Sequence, residues 1–287
     1  MAAKLRIAIV GAGNLGSALA VSLRRAGFTV SPIVSRARAE PSSKARALAK
    51  QVGTAATTDL KHVDADVVWF CVPDSEIARA GREWASWQWK GRVALHSSGA
   101  LTSDELTSLR GQGAAVASMH PLMTFVQGSR PALAGVPFAI EGDRRASRVA
   151  RQIVRALGGQ AHPIPKQYKA AYHAWATFAS PLFTALLATT ERVAGTAQID
   201  RAQARRRMIP ILMQTLANYA QYGAAGGFSG PIVRGDVDTV RRHLRVLSRT
   251  PAARDVYTAL AQAALEYLPV KDKHALKRAL DAHGRTK

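Results

Sequence analysis

Apolar residues in the first half of the chain fall in short unbroken runs, whereas those in the second half recur at helical spacing. Lys4–Val10, Phe28–Val34, Asp66–Val72, Arg92–His96 and Ala115–Met119 read as strands, the last opening into His120-Pro121. Runs without polar alternation belong to strands covered on both faces, as in a parallel sheet flanked by helices. Helical segments lie between them: Ser17–Ala26, ended by Gly27, and a second from Asp74 through about Ala85. A last strand pair, Val136–Ile140 and Gln160–Ile164, flanks a basic helix from Asp143 to Leu157. This alternation predicts an α/β domain with a doubly wound sheet over residues 1–165, with ligands beyond the carboxyl ends of the strands. From Gln167 the strand signals stop, and an all-α domain is expected over residues 166–287. Its helices are expected over Gln167–Gly195, interrupted by Pro181, and Asp200–Gly223, with Pro210 inside. A glycine-rich loop to Gly235 then leads to Asp236 as an N-cap, and helices follow to His283.

The turn after the first strand carries the clearest chemistry. Gly11-Ala-Gly13-Asn14-Leu15-Gly16 leaves a strand and opens a helix. In such a turn the first glycine permits the tight bend, the second lets backbone approach a pyrophosphate, and the third lets helix press on sheet. Unpaired N–H groups and the positive dipole end of the helix favour the phosphates. A bare strand–helix turn is the plainer alternative, but the strand before, the helix after and the next strand on schedule supply the context of a dinucleotide site. At the end of the second strand, where NAD sites place a carboxylate for the ribose, this chain has Ser35-Arg36-Ala37-Arg38. The missing carboxylate and the two arginines point to the 2′-phosphate of NADP(H). Gly11, Gly13, Asn14, Leu15, Gly16, Ser35, Arg36, Arg38, Val72 and Pro73 form the expected cofactor set.

Charge changes this picture little. The chain of 287 residues has a net charge of +21, but the two predicted domains carry +10 and +11, so no basic arm stands out. There are 29 arginines against 11 lysines, and only Arg205–Arg207 forms a tight run, whose side chains diverge on a helix. Nucleic-acid binding is therefore disfavoured, and attraction of an anionic cofactor and substrate is the better use of the charge. No apolar run reaches the ~18 residues of a membrane span. The first residues lack the apolar core and cleavage site of a signal peptide, so a cytoplasmic location is expected. The single cysteine, Cys71, excludes an internal disulfide and a multi-cysteine metal site, and it reads as a small buried apolar residue. Trp84, Trp87 and Trp89, at a helix end and its loop, are expected to pack at the domain edge.

Two groups of polar residues are candidates for catalysis. Ser97, Ser98 and Gly99 leave one strand end, and His120 leaves the next. On the first helix of the second half, Lys169 and His173 lie four residues apart with Ser180 near the same face. Such a pair facing a nicotinamide could supply a proton as hydride arrives, and mutual repulsion would lower both pKa values. A solvated lysine and a half-buried histidine would give the same spacing.

Combined with Gly11–Gly16 and His96-Ser-Ser-Gly-Ala100, three further segments point to a family: His120-Pro-Leu-Met-Thr-Phe125, Lys169-Ala-Ala-Tyr-His-Ala174 with Phe178-Ala-Ser180, and Gly230-Pro-Ile-Val-Arg-Gly-Asp236 through His243-Leu244. Over nearly its whole length the chain resembles Rossmann-like bacterial proteins with a C-terminal helical domain of unknown function (DUF2520 type), relatives of β-hydroxyacid dehydrogenases and pyrroline-5-carboxylate reductases. The resemblance implies an NADP-dependent oxidoreductase fold and a helical domain that forms a homodimer, and leaves the substrate open. The wider superfamily places a lysine and, four residues later, an asparagine on the first interdomain helix. Lys169 matches the lysine, and His173 stands in place of the asparagine, which puts the usual hydroxyacid chemistry in doubt. The expected reaction is hydride transfer to or from a small anionic carbonyl or imine compound, with ketopantoate one example by analogy. Lys169 or His173 would donate the proton, and Ser97, Ser98, Gly99, His120, Ser180, Arg234 and Asp236 would contact the substrate. The competing expectation is a non-catalytic NADP(H)-binding sensor or partner protein, which needs no polar groups opposite the nicotinamide.

Overall fold

A computed structural model of the chain describes residues 5–35 and 40–284. The chain divides into two compact units, residues 1–179 and 180–287. The first is built on β1 (Arg6–Val10), α1 (Asn14–Arg25), β2 (Thr29–Val34), α2 (Ser43–Val52), β3 (Ala56–Thr57), β4 (Val67–Phe70) and α3 (Asp74–Glu83). It continues through β5 (Val93–His96), α4 (Thr107–Arg110), β6 (Ala115–Pro121), β7 (Pro137–Gly142), α5 (Arg144–Ala156), β8 (Gln160–Pro163) and α6 (Lys169–Thr177). The strands form one sheet in the order β3-β2-β1-β4-β5-β6-β7-β8.

Why the strands read as unbroken apolar runs is visible in their packing. Ile7, Ile9, Val67, Trp69, Val93 and Leu95 point into one core with α1, α2 and α5. The residues between them, Ala8, Val10, Val68, Phe70 and Ala94, point into a second core with α3 and α4. Both faces of the sheet are thus covered, and period-two alternation sorts residues between two apolar layers. Trp84 and Trp89 belong to the second core, and Trp89 Nε1 donates to the Trp84 carbonyl at 2.7 Å. The expected packing role of these tryptophans is what the structure shows.

Strand pairing is parallel except between β6 and β7, which run antiparallel. A parallel return needs a crossover, usually helical, and residues 122–136 contain no helix. Two-residue β3 escapes the sequence pattern because it is too short to show a period.

The second unit is helical: α7 (Phe183–Ala194), α8 (Arg201–Gly227), α9 (Val237–Leu247), α10 (Pro251–Tyr267) and α11 (Lys273–Gly284). Pro181 interrupts the segment as expected: regular helix stops at Thr177 and resumes at Phe183, with a π-helical turn over Phe178–Leu182 between them. Asp236 caps α9, its carboxylate accepting from the Thr239 amide at 3.0 Å. The core of this unit is small: Val240, Leu244, Ala261, Leu276 and Leu280. α7 has no buried residue, and α8, whose helical path breaks at Gly223 (φ +69°), buries only Ala204.

Candidate active site

The glycine turn has the geometry its sequence predicts. Gly11 sits at φ +106°, and a Cβ there would lie 2.5 Å from the Cys71 carbonyl oxygen. A Cβ on Gly16 would collide with the Gly11 carbonyl, so α1 presses directly on the turn. At Gly13 the opposite holds: a Cβ would meet nothing within 4 Å. The backbone there faces open space at the N-terminus of α1, where the first N–H groups lack helical partners. Leu15 packs on the sheet core, and Asn14 is tied by its amide to the Phe125 carbonyl at 3.2 Å.

This turn opens onto a cleft of about 1100 Å³ whose lining includes Gly11–Gly13, Ser35, Ser42, Lys44, Val72 and Pro73. Cys71 lines it too, and burial pushes its thiol up, which keeps it neutral. Arg36 and Arg38 lie outside the described residues. Of the described cations in the lining, Arg46 is paired with Glu40 and Arg79 with Glu76 and Glu83. Lys44 makes no ion pair among the described residues.

Beyond the ends of β4, β5 and β6 lies a second, densely bonded polar group. His96, fully buried, accepts at Nδ1 from the Ser98 amide, so its proton is on Nε2, which donates to the Thr102 carbonyl at 3.0 Å. Burial, then the Lys169 charge, pushes this histidine down to about 3, so it stays neutral. Ser98 Oγ donates to Asp74 at 2.6 Å and accepts from the amides of Ala100 and Leu101. Ser97 Oγ accepts from Trp69 Nε1 at 2.8 Å. The serine pair is therefore held from several sides and defines a rigid loop.

Lys169 is 1% exposed. Its ammonium donates to the Ser98 carbonyl at 2.7 Å and to Ser118 Oγ at 2.6 Å. Burial lowers it to about 8, opposed by the charges of Glu141 and Asp74. The sequence expectation set Lys169 and His173 side by side facing a nicotinamide, with a solvated lysine as the plainer alternative; the structure turns the lysine inward as a tether between α6 and the β5 and β6 ends. Glu141, also buried, is committed to Ser103, accepting from its amide and hydroxyl.

His173 meets a different partner. Its ring lies 5.9 Å from that of His120, edge to face. On its other side His120 meets Tyr172 with centroids 5.6 Å apart, and its Nδ1 lies 3.4 Å from the Tyr172 hydroxyl. Both imidazoles crowd Gly99: a Cβ there would collide with His173 Cδ2 and lie 2.9 Å from His120 Nε2. Burial, with the charges of Lys169 and His173, pushes His120 down to about 4. Burial pushes the Tyr172 hydroxyl up. At neutral pH this corner thus presents a neutral imidazole and a neutral phenol.

The structure therefore brings together Ser98, Gly99, His120, Lys169 and His173, and adds Asp74, Ser118 and Tyr172, which the sequence reading did not single out. Ser118 carried a usable signal, standing two residues before His120 on the same face of β6. Tyr172 stands three residues after Lys169, a helical neighbour by spacing. Ser180, Arg234 and Asp236 belong to the second unit, where Arg234 is exposed and the Asp236 carboxylate is engaged as a cap. Among the described residues no cluster of three or more His, Cys, Asp or Glu could hold a metal ion, and no helix is long and apolar enough to cross a membrane.

Comparison with known proteins agrees with this architecture. A solved structure from Bacteroides fragilis, of a protein described as an NADP oxidoreductase, is 22% identical with a TM-score of 0.76, covering 91% of this chain and 97% of that one. The Thermotoga maritima protein TM1727 is 22% identical with a TM-score of 0.70, covering 97% and 100%. A reductive aminase from Aspergillus terreus, solved with NADPH and ethyl-5-oxohexanoate, is 14% identical with a TM-score of 0.66, covering 96% and 98%. Likeness at these identities speaks for the fold. No curated protein matches the chain significantly. The family models complete the picture: the chain carries a Rossmann-like domain, matched over residues 1–121, followed by a domain of unknown function (DUF2520), matched over residues 136–264.

Proposed function

We propose that this protein is an NADP(H)-dependent oxidoreductase acting on a small carbonyl or imine compound. The observation that carries the reading is the pairing of an open backbone cradle at Gly13 with a polar group at the neighbouring strand ends. Gly11, Gly13, Gly16 and the start of α1 would hold the pyrophosphate. Ser35 and Lys44 line the same cleft on the side of β2 and α2, and would receive the 2′-phosphate with Arg36 and Arg38. Fold relatives solved with NADPH support the choice of cofactor. When bound, NADPH supplies a hydride to the electrophilic carbon.

The chain's own residues do the rest. Lys169 and Asp74 hold the Ser98 loop, which packs Gly99 directly against the His120 and His173 rings. A dinucleotide sensor needs no such group, which favours an enzyme over that alternative. The net charge of +21 favours an anionic substrate. We extend the proposal to assembly: the apolar face of α8 is covered by the same face of a second copy of the chain.

A thermal-shift panel with NADPH, NADP, NADH and NAD tests the reading, followed by NADPH oxidation with small keto acids and cyclic imines. The phosphorylated cofactors should stabilise the protein well above the unphosphorylated pair, and at least one carbonyl or imine should consume NADPH. Equal stabilisation by NADH would remove the 2′-phosphate argument. Binding with no turnover across the panel would favour the sensor.

A further inference from the structure

Which way a dinucleotide lies across the sheet follows from the strand order. β1, whose end carries the Gly11–Gly16 turn, has β2 on one side and β4 on the other. On the β2 side the cleft is lined by Ser35, Ser42 and Lys44. With the pyrophosphate at the turn and the phosphorylated ribose on that side, the second nucleoside passes over the ends of β4 and β5. The turn touches the end of β4: a Cβ on Gly11 would lie 3.5 Å from Val72 Cγ1, and Val72 and Pro73 line the cleft. The next residue, Asp74, is exposed and is the first of α3.

We propose that Asp74 binds the nicotinamide ribose, its carboxylate accepting from a ribose hydroxyl, and so fixes the direction in which NADP(H) lies. Asp74 Oδ2 accepts from Ser98 Oγ at 2.6 Å. That serine is 3% exposed, and its oxygen already accepts from the amides of Ala100 and Leu101, so its one proton is committed to Asp74. An exposed carboxylate is thus held by a buried anchor, and a ligand that meets it pays little to order it. Its second oxygen, Oδ1, has no partner among the described residues. Lys169, whose ammonium feels the Asp74 charge, is committed to the Ser98 carbonyl and Ser118 instead.

The inference rests on the proposed cofactor and assigns its two ends. An ionised carboxylate only accepts hydrogen bonds, and a ribose diol offers two donors. NAD sites use this pairing at the end of the second strand, for the adenosine ribose. Here the sequence at that end is Ser35-Arg36-Ala37-Arg38, and the carboxylate stands at the end of β4. The two sides of the turn therefore carry opposite charge. Cations on the β2 side suit a 2′-phosphate, whereas Asp74 repels one and accepts from an unphosphorylated ribose. The positive end of the α3 dipole favours the charge on Asp74.

Titration calorimetry with two ligands separates this contact from the rest of the site. NADPH carries both nucleosides, and adenosine 2′,5′-bisphosphate carries the phosphorylated half without the nicotinamide ribose. Asp74→Asn keeps the side-chain shape and an acceptor for Ser98 but loses the charge. It should bind NADPH about tenfold more weakly, the low end for a hydrogen bond to a charged group, and the bisphosphate as well as the wild type does. Asp74→Ala, which removes both oxygens, should lose at least as much NADPH affinity and again spare the bisphosphate. Unchanged NADPH affinity in both variants overturns the inference. So does an equal loss for both ligands, which would make Asp74 a support of the cleft and not a ribose contact. A wild type that binds NADPH no more tightly than the bisphosphate overturns it even if neither variant folds. Failure of the wild type to bind either ligand is a separate result: it removes the cofactor itself, and the ribose contact with it.

Discussion

Lys169 shows what a single residue reveals in sequence and what it conceals. Its spacing from His173 places both on one helix, but the direction of its ammonium is set by Ser98 and Ser118, which lie 71 and 51 positions earlier in the chain. Local periodicity carries no record of such contacts, so the pair His120–Tyr172 was hidden for the same reason. The buried histidines make a prediction at this scale. His96 and His120 titrate near 3 and 4 in the folded protein against 6.5 in an unfolded chain. Their folded values are depressed, so the unfolded state binds more protons as pH falls below about 6.5, and stability is lost on acidification. Each contributes up to about 1.4 kcal/mol per pH unit within its window. Urea midpoints followed from pH 7 to 4.5 should fall, and fall less steeply in His120→Gln. Parallel curves for variant and wild type would show that His120 is not held neutral.

At the scale of elements, the strands were legible because burial on both faces writes a continuous apolar run, and the helices because glycine and proline punctuate them. Strand direction was not legible: β7 runs antiparallel because residues 122–136 offer no crossover helix, a property of the connection and not of the strand. Pro181 interrupts the helical segment where its signal placed it, the interruption taking the form of a π-helical turn between α6 and α7. The loop before α9 illustrates a residue with two candidate roles. Asp236 was expected at the substrate, and its carboxylate caps the helix, with the Thr239 amide holding it below the usual carboxylate range. Asp236→Ala should lower the urea midpoint, and Asp236→Asn much less, because asparagine also caps. An unchanged midpoint for alanine would exclude a structural role for the cap.

For the molecule as a whole, the second unit exposes more apolar surface than a monomer usually tolerates. On α8 alone Ile209, Ile211, Met213, Leu216, Tyr219 and Tyr222 are 48–68% exposed. A helix this bare gains too little from its own unit, and a second copy is the partner we propose. Light scattering should give a dimer at micromolar concentration, and Leu216→Glu, on the face shared by Ile209 and Met213, should shift it toward monomer with a lower melting temperature. A monomeric wild type would contradict that assembly. The central claim, that the Gly13 cradle holds the pyrophosphate of NADP(H), meets its most direct test in Gly13→Glu. Gly13 has φ −74°, open to any residue, and a side chain there meets nothing within 4 Å, so the fold should not notice the change. A carboxylate would occupy the space of the phosphates and repel them. Without ligand, the variant and the wild type should melt together. With NADPH at a hundred times its dissociation constant, the wild type should gain about 2.7 kcal/mol and the variant nothing. Equal stabilisation of both proteins by NADPH would contradict the account.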